Sequence, residues 1–151
     1  MFNIILVVFI FLLVSCQSGE RREAITADEF QRLIEGEGWT TIVETEGLFN
    51  PTIDLVVIAT KNLDGFWIEL YEFPSESYAQ SFFQGAQQRW EDFPDLQLLS
   101  SESGRNFERL ELIADTRFVY LYQVDNIVLM SVTADIYQNI IQEIVSVIEG
   151  N

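Results

Sequence analysis

The chain has no histidine, one cysteine and one lysine. Without histidine there is no Ser-His-Asp or Cys-His nucleophile system and no histidine-based zinc site. Lys61 has Ile58 three positions before it, so the Ser-x-x-Lys arrangement is absent as well. With Cys16 alone, no disulfide can form within the chain, and stability must come from an apolar core. Basic residues are scarce: 8 Lys+Arg stand against 24 Asp+Glu, for a net charge of −16. That balance lacks the footprint needed to neutralise phosphates, which argues against nucleic acid, and it repels anionic lipid surfaces. No glycine-rich phosphate loop is present, because Gly36-x-Gly38 lacks a third glycine and follows a helical pattern rather than a strand.

Long apolar runs are also missing, with one exception. Ile4 to Val14 is an uninterrupted apolar stretch of eleven residues. A membrane-spanning helix needs roughly 20 such residues, whereas this length suits the core of a signal peptide. The run closes on Leu13-Val14-Ser15-Cys16. These four residues resemble the lipobox of bacterial lipoproteins: an aliphatic residue, a small or aliphatic one, a small one, then cysteine. Met1-Phe2-Asn3 carry no side-chain charge, where that family usually has Lys or Arg. The resemblance implies cleavage before Cys16 and diacylglyceryl attachment to its thiol, with palmitate as a typical acyl group. Two acyl chains suffice for stable anchoring, since each buried methylene contributes about 0.8 kcal/mol. Residues 1–15 are thus expected to be a lipoprotein signal peptide. Residues 16–23 are expected to be a lipidated cysteine and polar tether, and residues 24–151 one domain. The expected location is the extracytoplasmic side of the cell membrane.

Within that domain, Thr26-Ala-Asp-Glu29 is a capping-box pattern, followed by Phe30, Leu33 and Ile34 at helical spacing and a stop at Gly36 and Gly38. Strands are expected at Trp39 to Thr45, Asp54 to Lys61 and Phe66 to Phe73, the last two joined by a turn at Asn62 to Gly65. Pro74-Ser75 opens a helix with Tyr78, Ala79, Phe82, Phe83, Ala86 and Trp90 on one face. Residues 91–106 read as a long polar loop with room for a short strand at Leu96 to Leu99. Strands follow at Phe107 to Ile113, Thr116 to Val124 and Ile127 to Thr133, with Asp125-Asn126 as a two-residue turn. Asp135 opens a last helix whose apolar face is marked by Ile136, Ile140, Ile141, Ile144 and Ile148. The order α-β-β-β-α-β-β-β-α predicts an α+β fold, an antiparallel sheet with helices on one face. The similar openings at Thr26 and Ser75 are compatible with an internal duplication.

This layout is also similar to uncharacterised lipoproteins of Gram-positive bacteria. The matching stretches are Thr26-Ala-Asp-Glu-Phe30, Gly38-Trp39, Val57-Ile-Ala59, Ile68-Glu-Leu-Tyr-Glu-Phe73 and Ala79 to Phe83. The resemblance spans most of the chain beyond Cys16 and implies no activity, cofactor or site residues.

Carboxylates are the chemistry that remains. Glu91, Asp92 and Asp95 are the densest group, but they match no calcium-loop spacing and read as a solvated helix end. Arg105, Arg109 and Arg117 offer either an anion site or, more in keeping with an acidic sheet, ordinary salt pairs. Neither catalytic residues nor metal ligands are assigned. Strand alternation places Phe118, Tyr120 and Tyr122 on one side of the second hairpin and Trp67, Glu69 and Tyr71 on one side of the first. Together these six are the candidate ligand surface, facing an envelope protein or another envelope ligand, with burial for stability as the competing reading. The chain reads as a lipid-anchored extracytoplasmic binding module. The alternatives are a histidine-free carboxylate hydrolase and a structural subunit of an envelope complex.

Overall fold

The computed structural model describes residues 19–45, 52–61, 66–93 and 95–149. The apolar run, Cys16 and the turn at 62–65 lie outside the described residues. Among the described residues three helices, α1 (Ala27–Gly36), α2 (Glu76–Glu91) and α3 (Gln138–Glu149), accompany seven strands. The strands are β1 (Thr40–Thr45), β2 (Leu55–Thr60), β3 (Trp67–Glu72), β4 (Gln97–Ser103), β5 (Phe107–Ala114), β6 (Arg117–Val124) and β7 (Ile127–Ala134). The fold is α+β, built on one antiparallel sheet in the order β1-β2-β3-β7-β6-β5-β4. Among the described residues no helix is long and apolar enough to cross a membrane.

Local chemistry sets the ends of α1. The Thr26 side chain accepts from the Glu29 N–H, and Glu29 accepts from the Thr26 N–H at 3.0 Å, a complete capping box. At the other end the Gly38 N–H donates to the Glu35 carbonyl and the Trp39 N–H to that of Ile34. Gly38, at φ +80°, supplies the left-handed residue this Schellman turn needs. For α2, Ser75 has the extended backbone of an N-cap but makes no capping hydrogen bond. Asp135 opens a single 3-10 turn, Asp135–Tyr137, ahead of α3. Hairpin geometry is equally local. Asp115 and Thr116 both take positive φ (47° and 65°) between β5 and β6, as two-residue turns matching strand twist require.

The stretch 91–106, expected to be mostly loop, holds the full edge strand β4. It pairs with β5 from Gln97↔Ile113 to Ser103↔Glu108, with a register shift between Leu98 and Ser100. Its polar composition reflects an edge position, where polar side chains discourage further pairing. Gly104 closes this hairpin. A Cβ there would run into the Phe107 ring, so the close approach of backbone to ring favours glycine.

Both faces of the sheet are covered by helices, rather than one. Along β6, Phe118, Tyr120 and Tyr122 point to the core shared with Phe30 and Ile34 of α1 and Ile141, Ile144, Val145 and Ile148 of α3. Val119 and Leu121, on the reverse, meet Phe83 and Ala86 of α2. A strand apolar on both sides cannot leave either face in water, which explains the division. It also places the two helices that open the repeated units, α1 and α2, on opposite faces. A two-fold axis between β3 and β7 therefore does not superpose the units. On α3 the buried set is Ile141, Ile144, Val145 and Ile148. Ile136 (75% exposed) and Ile140 (41%) face out, as does Tyr78 (48%) on α2.

Candidate functional site

Helix α2 packs on β6 and β7 and meets β3 where Phe82 lies against Tyr71; among the described residues no helix packs on the rest of that face of β1–β3, which is the open half of the sheet. On that open half Ile42, Val56, Ile58, Trp67, Glu69 and Tyr71 are all half-buried or exposed. Where the open half meets α2 runs a groove of about 500 Å³. Its floor is Tyr71, Met130 and Val132, and its other wall is Phe82 and Trp90 of α2 with Phe93 just beyond the helix end. The rings are in contact: Tyr71 and Phe82 centre 4.8 Å apart, Trp90 and Phe93 5.0 Å. Ala86 and Gly85 keep the helix thin here, and exposed Arg89 stands on the rim.

Glu69 lies beside this groove. It is paired directly with Met130 across β3 and β7, so both side chains share one face. The Tyr71 hydroxyl donates to Glu69 Oε2 at 2.8 Å. Burial pushes the Glu69 carboxyl above its ordinary pKa, and the Tyr71 hydrogen bond opposes that shift. Tyr71 is itself raised, first by burial and then by the Glu69 charge. Among the described residues Glu69 makes no ion pair.

The six candidate surface residues do not form one surface. Pairing of Leu70 with Leu129, and of Leu129 with Tyr122, aligns the buried side of the first hairpin with the aromatic side of the second. Trp67, Glu69 and Tyr71 thus lie on the α2 face, while Phe118, Tyr120 and Tyr122 lie beneath α1 and α3. Phe118 and Tyr120 are 0% exposed and Tyr122 4%, so these three are core. The pairings within each hairpin, such as Thr60↔Trp67 and Tyr120↔Ser131, follow the strand alternation read in the sequence. The α2 wall of the groove was legible only as a helical face of Phe82 and Trp90.

A second polar centre lies at the end of α3. Arg109 is held by Glu102 (3.1 Å) and Glu149 (3.0 Å), with Glu111 at 3.9 Å. Arg22 meets Glu102 at 3.0 Å and Glu149 at 3.5 Å, and its guanidinium lies 4.1 Å from the centre of the Phe107 ring. The Tyr120 hydroxyl donates to Glu149 at 2.8 Å. Burial first, then the Glu149 charge, hold Tyr120 far above its ordinary pKa. Arg109 therefore takes part in salt pairs, while Arg117 is exposed at the start of β6. Each carboxylate in this centre already faces an arginine, and the arrangement acts as a tie. It binds the stretch expected to be free tether: from Glu20 onward the chain is fastened to the sheet, with the Arg105 N–H donating to the Glu20 carbonyl at 3.1 Å.

Glu91, Asp92 and Asp95 are exposed around the end of α2. Comparison with known proteins finds no matching family, no matching curated protein and no matching solved structure.

Proposed function

We propose that this chain is a lipid-anchored, extracytoplasmic binding module whose ligand site is the groove between α2 and the open half of the sheet. The observation that carries the reading is the groove itself: aromatic and aliphatic walls and a volume of about 500 Å³, within the range of roughly 300–1,000 Å³ typical of small-molecule sites. The anchor rests on Leu13-Val14-Ser15-Cys16 and on the short apolar run before it. The carboxylate-hydrolase alternative needs two acids facing one cleft, and the lining of this groove among the described residues contains none. Glu69 lies beside it, and Glu44 is on the same face further out, on β1.

Two measurements test the reading. Labelled palmitate should enter the wild-type chain and not Cys16→Ala; equal labelling of both removes the anchor. Trp90→Ala, on the groove wall, should abolish ligand-induced protection of α2 from hydrogen exchange while thermal stability changes little. Unchanged protection places the site elsewhere.

A further inference from the structure

The open half of the sheet carries two acids, Glu44 on β1 and Glu69 on β3, among apolar and aromatic groups, and Glu69 is the one set beside Met130 and the groove. Glu69 is half-buried, accepts one hydrogen bond from Tyr71 and makes no ion pair among the described residues. A carboxylate removed from water without a cation is incompletely compensated, because one neutral donor does not replace its hydration. Trp67 and Tyr71 stand two positions to either side on the same strand, and so on the same face. Their rings are the faces that attract a cation at short range.

We propose that the groove takes a small organic cation, with an ammonium group set against the Glu69 carboxylate and an apolar body between Tyr71 and Trp90. This rests on the groove being the ligand site and names what it selects. Three further observations point the same way. The volume suits a small molecule rather than a folded partner. The net charge of −16 draws cations toward the surface and repels anions. Among the described residues the one basic group of the lining, Arg89, is exposed, so water screens its charge, whereas Glu69 is sheltered. Burial raises the Glu69 carboxyl above its ordinary pKa, and an incoming ammonium group would bring it back down.

The test uses three probes that share one body: 3-phenylpropylammonium, 3-phenylpropanol and 3-phenylpropionate. Each is titrated into the full chain in detergent, with Trp fluorescence and calorimetry as readouts. The ammonium compound should bind at least fivefold more tightly than the alcohol, and the carboxylate most weakly. In Glu69→Gln the ammonium and alcohol affinities should converge to within about twofold, the alcohol affinity itself being unchanged. Glu143→Gln, which removes an equal charge from the exposed side of α3, should leave the preference intact and so exclude a bulk-charge effect. A preference that survives in Glu69→Gln, or a carboxylate that binds as well as the ammonium, overturns the proposal while leaving the groove as a site. Failure of all three probes to bind overturns the proposal and the groove reading together.

Discussion

The side-chain amide of Asn106 holds the backbone of Arg22 on both sides, accepting from its N–H at 3.1 Å and donating to its carbonyl at 2.8 Å. The two residues are 84 positions apart, and the contact does for the N-terminal segment what a strand pairing would do. The Asn106 amide also donates to Asp125 at 3.0 Å, so the segment around Arg22, the β4–β5 turn and the β6–β7 turn are held at one point. Asn106→Ala should lower stability by about 2–3 kcal/mol, since it removes three hydrogen bonds and leaves sheltered backbone groups unpaired. It should also expose residues 20–25 to proteolysis before the rest of the chain. Chemical denaturation and limited proteolysis check this; a segment cleaved no faster than in wild type would show that the arginine pairs hold it without Asn106.

The capping box gives a local prediction. Thr26→Ala should cost about 1 kcal/mol, and Thr26→Ser should restore most of it, because the hydroxyl acceptor is what the first turn of α1 requires. Glu29, its partner in the box, is held below the ordinary carboxylate pKa by the hydrogen bond from the Thr26 backbone and then by that from its side chain. Its contribution is therefore present above the ordinary Glu pKa and is lost as pH falls through the lowered one. Urea melts at neutral pH and near pH 3 should show the Thr26→Ala difference shrinking in acid.

Tyr120 and Trp67 should behave in opposite ways. Tyr120 is fully buried and bonded to Glu149, and Tyr120→Ala should cost about 3–5 kcal/mol through the cavity it leaves. Tyr120→Phe should cost about 1–2 kcal/mol, the value of a hydrogen bond to a charged acceptor. Trp67 lies half-exposed on the open face, and Trp67→Ala should move the melting temperature by only a few degrees. Equal losses at the two positions would mean that the open face is covered in solution.

Glu69 makes stability depend on pH in the direction opposite to Glu29. Its carboxyl is raised by burial, so the folded chain holds the proton more tightly than the unfolded chain. The stabilising contribution is complete below the ordinary Glu pKa and disappears as pH rises through the raised one. Glu69→Gln carries no charge at any pH and escapes that loss. Its melting temperature should exceed that of wild type at pH 7 to 8, and the gap should close toward pH 4. A gap independent of pH would mean that packing, not ionisation, separates the two.

Much of the architecture is legible residue by residue. The α1 cap at Thr26, its end at Gly38, the α2 stripe of Ala79, Phe83 and Ala86, and the turn at Asp125-Asn126 each depend on neighbours a few positions away. The register inside each hairpin belongs with them: Thr60↔Trp67 and Val119↔Val132 follow from strand alternation and the position of the turn. The strand β4 was harder to see because an edge strand has little periodic signal. Ile136 and Ile140 misled because isoleucine marks an apolar face wherever it occurs, while burial depends on what lies opposite.

What decided the candidate site was long-range. Whether the Trp67 side of the first hairpin shares a face with the Tyr120 side or with the Val119 side depends on the pairing of β3 with β7, strands whose paired residues are more than fifty positions apart. A one-residue change in that register exchanges every side chain between faces, and neither hairpin alone carries a signal for it. Leu70 opposite Leu129 sends Tyr120 and Tyr122 into the core and leaves Trp67, Glu69 and Tyr71 on the face that α2 only half covers. The amino-acid sequence by itself determined the helices and all strands but the edge strand β4, the histidine-free chemistry and the lipobox pattern, because each is a property of composition or of residues close along the chain. The open face, the groove beside α2 and the fastening of Arg22 arise where distant segments meet, and only the tertiary structure could assign them.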